Sequence, residues 1–242
     1  MTQLEKAYQS LRDGIVSGEL PPDSPLRLNA LSSRYGVGYS PLREALNRLH
    51  GERLVTAESL RGFRVAPLSL DAMWDTIRTR ILIEAEALRL SIEKGDDDWS
   101  AALVAALHAF VQQAGRTGPD RDLALLERRH HALHRALIAA CGSDWLLELA
   151  EQLYVGSVRY RFPTLVHLGT HRFRDIAGEH TEIVEAALAR DAVRATVLLK
   201  EHYSRSGASI EAAMAATGAE PPADDSAADT TRGDIAPDKA NA

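Results

Sequence analysis

Two sets of residues have types and spacings that support chemistry. His130 and His134 are four apart in a helical pattern, so their rings stack on one face and form a chelating pair. His180 and His202 fall on two further predicted helices. If those three helices surround one cavity, the imidazoles converge, and neutral imidazole favours Zn, Ni, Cu or Fe over Mg or Ca. With 9 histidines in the chain, one accidental pair at this spacing is also an ordinary outcome, and a lone histidine is more often a surface or hydrogen-bonded residue than a ligand. The second set is Arg43, Asn47 and Arg48, side chains that contact phosphates and base edges when a helix enters a major groove.

The second set needs a positioning element, and Val37 to Leu49 supplies it. Ser40 is suited to cap a helix, Pro41 suits the first turn, and Leu42, Ala45, Leu46 and Leu49 form one apolar stripe. Asn29 to Tyr35 reads as a preceding short helix that Gly36 ends in left-handed backbone. Two short helices joined by a tight glycine turn make a helix-turn-helix. Arg53 to Val55 and Phe63 to Val65 read as a hairpin around 58–62, a wing that brings Arg61 and Arg64 near the phosphate backbone. Leu4, Ala7, Leu11 and Ile15 mark a bracing helix stopped by Gly18.

The histidines need a larger scaffold. From Leu70 to Ala215 only helical periodicity appears, with candidate helices at 70–94, 98–115, 120–141, 144–161, 172–189 and 191–214. The expected fold is mainly α: an N-terminal winged helix-turn-helix at 1–68 joined to an all-α six- to seven-helix bundle at 69–215. The Ala-, Asp- and Pro-rich stretch 216–242 reads as a disordered acidic tail.

Composition narrows the function classes. At 45% hydrophobic and 26% charged over 242 residues, the chain can bury two cores. No apolar run approaches the roughly 18 residues of a membrane span, and no signal region is evident. The single Cys141 excludes an internal disulfide framework, so a cytoplasmic location is expected. The net charge of -6 is unevenly spread: residues 1–66 hold nine Lys/Arg against seven Asp/Glu, and 217–242 hold two against six. DNA binding depends on the local field of the docking face, which a symmetric dimer presents twice.

Through 5–69 the segments Gly18-Glu-Leu-Pro-Pro, Leu26-Arg-Leu-Asn-Ala-Leu-Ser, Ser40-Pro-Leu-Arg-Glu-Ala-Leu and Arg61-Gly-Phe-Arg-Val-Ala-Pro resemble the winged helix-turn-helix of GntR-type bacterial transcription regulators. That resemblance implies double-stranded operator DNA as partner, contacted by Asn29, Tyr39, Ser40, Arg43, Asn47 and Arg61. Family members usually carry Arg where this chain has Tyr39, so the operator differs from the common one. Arg80 to Glu84, Leu133-His-Arg-Ala-Leu, Glu179-His180 and His202 resemble the FCD ligand-binding domain of the FadR subfamily. It implies a divalent transition metal, Zn with Ni or Fe as alternatives, on His130, His134, His180 and His202, with His130 replacing the usual Asp.

The same resemblance implies a small carboxylate effector, a homodimer, and Arg80, Arg159 or Arg161 facing the effector. A guanidinium matches a carboxylate in bidentate geometry. For Arg80 the competing reading is an ion pair with Glu84, and within Arg159-Tyr-Arg161 one Arg is expected to face solvent. The Arg-His-His-Ala-Leu-His run and Arg159-Tyr-Arg-Phe are most similar to members associated with glutarate and 4-aminobutyrate catabolism, implying a C4 to C5 dicarboxylate such as glutarate. The expected function is a ligand-released repressor. Two alternatives stand beside it: a metal-dependent hydrolase with an attached DNA-binding module, in which Glu127 serves as base, and a purely structural zinc site.

Overall fold

The computed structural model describes residues 1–58, 62–117, 122–168 and 174–216, and of 162–168 the backbone alone. The expected wing contact Arg61 and the expected disordered tail lie outside the described residues.

The first helix, α1 (Gln3–Val16), starts where the Thr2 hydroxyl accepts the Glu5 N–H at 3.1 Å. It ends before Gly18, whose φ of 81° only glycine adopts readily. After β1 (Pro25–Leu26) come α2 (Leu28–Tyr35) and α3 (Tyr39–Gly51), separated by the left-handed Gly36. Helix α3 buries Leu42, Ala45, Leu46 and Leu49 against Ala7, Leu11 and Ile15 of α1. The apolar stripe read from the sequence is the surface that seats this helix.

Two details differ from expectation. Gly38, not Ser40, precedes α3, and no side chain caps it; Ser40 lies inside the first turn and is exposed. The wing pairs β2 (Val55–Glu58) with β3 (Gly62–Val65) antiparallel, Val55 opposite Val65. A third strand, β1, joins the other edge of β3 with Pro25 opposite Arg64. Two residues carry no periodicity, so β1 was not visible in the pattern. Proline also suits an edge, where its missing N–H costs no ladder bond.

Six helices follow among the described residues: α4 (Leu70–Lys94), α5 (Asp97–Ala114), α6 (Leu123–Ile138), α7 (Asp144–Leu168), α8 (Ile176–Leu188) and α9 (Ala192–Ala216). Ser69, Asp96, Asp122 and Asp175 cap the starts of α4, α5, α6 and α8. Helix α4 packs along α9 and α7, α5 along α6, and α8 along α9. Their core includes Met73, Leu88, Leu103, Leu133, Leu137, Ile183 and Leu199. Helix α7 runs through Pro163, where the sequence suggested an end at 161. A proline inside a helix costs about 3 kcal/mol. Burial of Tyr154, Val155, Val158 and Tyr160 on the preceding turns is the source of stabilisation that offsets it.

Helix α7 is also the contact between the two halves. Tyr154, Val155 and Val158 belong to the winged unit's core, not the bundle's. Arg159, expected to face an effector, turns the same way. Its guanidinium is buried and donates to the main-chain carbonyls of Ala66, of Pro67 at 2.9 Å and of Arg53 at 3.4 Å. Residues two apart on a helix point in different directions, so Arg159 and Arg161 cannot share one cavity.

Removing that guanidinium orphans buried carbonyls, each worth about 1–3 kcal/mol. Arg159→Met is therefore expected to speed proteolysis in the 66–69 connection severalfold while bound metal is retained, as measured by limited digestion and elemental analysis. Cleavage at the wild-type rate would contradict the strut role.

Candidate metal centre and DNA interface

Four buried imidazoles meet inside the bundle. His130 and His134 come from one face of α6, His180 from α8 and His202 from α9. One nitrogen from each lies within 4.8 Å of the others. The Nε2 of His134 is 3.1 Å from the Nε2 of His130 and 3.1 Å from that of His180. A tetrahedral ion bound at about 2.0–2.1 Å needs neighbouring nitrogens roughly 3.3 Å apart. Two of the spacings already match.

The outer nitrogens explain why these rings point inward. His180 Nδ1–H donates to the Ile176 carbonyl at 2.7 Å. His202 Nδ1–H donates to Glu179 at 2.8 Å. Tyr203 donates its only proton to Glu84, so its oxygen accepts from His134 Nδ1–H at 2.9 Å and from Arg80 at 2.9 Å. With Nδ1 protonated in three rings, their Nε2 lone pairs face one another. Outer partners of this kind fix the tautomer of metal-bound histidine. His130 is the exception: its Nδ1 has no partner among the described residues, and the Glu127 carboxylate is 4.0 Å away.

Burial, reinforced by the neighbouring cations and imidazoles, pushes His130 and His134 well below the usual histidine range. Burial does the same to His180, and lowers His202 to about 4 despite its bond to Glu179. Burial also raises the Glu179 carboxyl, but hydrogen bonds from His202 and Arg174 outweigh it and hold Glu179 below its normal range. The rings are therefore neutral at physiological pH, the state that binds a metal. Three or four facing lone pairs with no proton between them repel, and a cation removes that repulsion. The donor set fits a borderline ion such as Zn, Ni or Fe.

Arg80 and Arg161 are both near this cluster but differ in role. Arg80 is buried, with Nε on Glu84 at 2.7 Å, Nη1 on Ser157 at 2.8 Å and Nη2 on Tyr203. The i, i+4 ion pair with Glu84 is thus present, and Arg80 stands behind His134 as its support. Arg161 reaches a cavity of about 200 Å³ bordered by His130, Phe110, Glu127 and Ile176. It bonds Glu127, and its Nε has no partner among the described residues. Arg174 lines the opposite wall, held by Glu179 and by Ser206 at 3.0 Å. Sequence reading missed Arg174 and Tyr203 and gave Glu179 no role, because their relation to the histidines is spatial and no spacing signals it. A larger cavity of about 590 Å³ lies between α4, α6 and α7, with Arg80 and Glu84 in its wall.

On the DNA side, Asn29, Ser40, Arg43 and Asn47 are exposed, and Tyr39 is 56% exposed. Arg43 makes no ion pair among the described residues. Arg48 faces α1: its guanidinium sits 3.8 Å from the Tyr8 ring centre and 3.4 Å from Glu52. Arg64 pairs with Glu58 at 3.6 Å and bonds the Asp23 carbonyl. No helix among the described residues is long and apolar enough to cross a membrane.

A winged helix-turn-helix joined through α7 to a histidine-lined bundle defines a DNA-binding transcription regulator, not an enzyme. The chain belongs to the GntR family of bacterial regulatory proteins, matched over residues 3–65, and carries an FCD domain over 75–205. It is 37% identical over 210 residues to the HTH-type transcriptional repressor GlaR of Escherichia coli (strain K12), covering 86% of this chain and 96% of that one. It is 40% identical over 205 residues to the HTH-type transcriptional regulator BphR of Paraburkholderia xenovorans (strain LB400), covering 84% and 83%. Among solved structures, E. coli McbR/YncC shares the fold with a TM-score of 0.74 at 20% identity, covering 88% and 98%. A GntR-family regulator from Pseudomonas syringae pv. tomato str. DC3000 gives 0.55 at 27%, covering 90% and 88%. The hydrolase reading is thereby set aside, and Glu127 needs another role.

If the four imidazoles form one site, replacing His134 or His180 with Asn should remove most of the metal that the wild type retains after dialysis. It should also abolish the fall in thermal midpoint that chelation causes in the wild type. Full occupancy in both variants would end the four-histidine assignment.

Proposed function

We propose that this protein is a homodimeric repressor whose affinity for operator DNA falls when a small carboxylate, of the C4 to C5 dicarboxylate class, enters the cavity beside the histidine cluster. The observation that carries this reading is that two guanidinium groups, Arg161 and Arg174, line one cavity of about 200 Å³ that His130, one of the four clustered imidazoles, also borders. That size suits a molecule of fewer than ten heavy atoms. Guanidinium groups recognise carboxylates through paired N–H donors, and a metal on His130, His134, His180 and His202 would supply further positive charge at the cavity wall. The repressor function named for the GlaR relative supports the sign of the response.

On the DNA side, Arg43, Asn47 and Tyr39 would read base edges from α3, while Asn29 and Ser40 would hold the backbone. Arg61 would contribute from the wing. Two copies would present two recognition helices to a palindrome. The effector changes operator affinity only by as much as its own affinity differs between the two arrangements of the winged units. Helix α7 supports such linkage because it borders the cavity at Arg161 and enters the winged core at Tyr154, Val155 and Val158.

The test is binding to the DNA upstream of the protein's own coding region, titrated with glutarate and related dicarboxylates before and after chelation. Release at submillimolar glutarate by the metal-loaded protein alone is the expected result; operator binding indifferent to every dicarboxylate tried would overturn the effector class. In the same assay Arg43→Ala should lower discrimination between specific and random DNA by about 1–3 kcal/mol while the dimer persists. Unchanged preference would remove Arg43 from base reading.

A further inference from the structure

Glu127 is a part-buried carboxylate that the metal cluster does not use and whose catalytic reading has been set aside. It sits on α6 three residues before His130 and accepts two bonds, one from Arg161 and one from the Tyr154 hydroxyl. Both donors are on α7. Tyr154 belongs to the winged unit's core, and its ring also stacks on His131 at 3.7 Å between centres. Thus one carboxylate oxygen ties the cavity's guanidinium to a side chain that the DNA-binding unit packs around.

The two carboxylates bordering the cavity's arginines are not equivalent. Glu179 holds Arg174 but also fixes His202 through Nδ1, so displacing it would disturb a candidate ligand. Glu127 holds Arg161 and touches no histidine within hydrogen-bond range. It has, however, a second place to go. Among the described residues His130 Nδ1 is the one outer nitrogen of the four without an acceptor, and it lies 4.0 Å from Glu127 Oε1. Closing that gap to hydrogen-bond length needs a shift of roughly 1 Å.

We propose that Glu127 is an internal stand-in for the effector's carboxylate: it occupies Arg161 in the ligand-free protein, and an incoming acid displaces it toward His130, releasing Tyr154 on the winged side. This rests on the carboxylate reading of the cavity given above. The exchange replaces one carboxylate on Arg161 by another, so it conserves the ion pair. It also gives the fourth imidazole the acceptor that the other three already have. Arg161 carries the unpaired Nε that a second ligand oxygen would take, since a lone Glu127 oxygen leaves the guanidinium fork half used. The displaced link is the one that holds Tyr154, so cavity occupancy reaches the winged core through a single hydroxyl.

Full-length, metal-loaded wild type, Glu127→Gln and Tyr154→Phe are compared by glutarate calorimetry and by hydrogen exchange of the amides in 3–16. Gln is neutral and competes poorly for Arg161, so glutarate should bind Glu127→Gln roughly tenfold more tightly. Its 3–16 amides should exchange faster than wild type before any ligand is added. Tyr154→Phe keeps the ring and folds around it; its 3–16 amides should exchange at the faster rate with or without glutarate, and its glutarate affinity should rise, because the ligand no longer has to break the Tyr154–Glu127 bond. Equal or weaker glutarate binding by Glu127→Gln would overturn the stand-in role. Wild-type exchange in 3–16 for both variants would overturn the relay. If glutarate binds none of the three proteins, the carboxylate reading of the cavity fails, and the exchange rates alone decide whether Glu127 and Tyr154 link the units.

Discussion

The bundle is organised around a repulsion. Four imidazoles are buried at 0 to 7% exposure, and His134 directs its Nε2 at two others 3.1 Å away. Desolvation keeps these rings neutral, and with the Nδ1 atoms of His134 and His180 donating outward no proton lies between their Nε2 atoms. A cation at the centre relieves the repulsion, and a buried donor set with three of its four outer nitrogens already bonded is costly to maintain for any other purpose. The Tyr203–Glu84–Arg80 chain, the Glu179 carboxylate and the Ile176 carbonyl hold the rings in place. They come from α4, α8 and α9, so these helices and α6 must pack in register before the site exists.

Helix α7 carries the other half of the design. Within two turns it sends Ser157 to Arg80, Arg161 to Glu127, and Arg159 to the carbonyls that lead out of the wing. Tyr154, Val155 and Val158 complete the core of the winged unit. A rigid helix that serves both cores turns a small rearrangement at the cavity into a change in how the DNA-binding unit is held.

Much of this was legible in the sequence because the relevant signals are local. The i, i+4 pair His130 and His134, the α3 stripe and the Gly36 stop each follow from helical geometry. The resemblance to FCD domains then pointed to His180 and His202 on distant helices, which periodicity alone could not bring together. Arg159 was misassigned because adjacent arginines look equivalent in sequence, whereas the helix sends one to the cavity and its neighbour to the winged unit. Arg174 and Tyr203 were missed for the opposite reason: Arg174 has no marked neighbour, Tyr203 follows His202 but the next residue on a helix points another way, and both matter only for what the fold sets beside them. Ser40 has good capping chemistry, yet the cap position falls two residues earlier, at Gly38, a shift within the usual uncertainty of helix ends.

The most direct test of the central claim is X-ray absorption at the edge of the metal that co-purifies with the protein. A first shell of nitrogen at about 2.0–2.1 Å with the multiple-scattering pattern of three or four imidazoles is the predicted result. A shell dominated by oxygen or sulfur, with one imidazole or none, would contradict convergence of His130, His134, His180 and His202 on one ion.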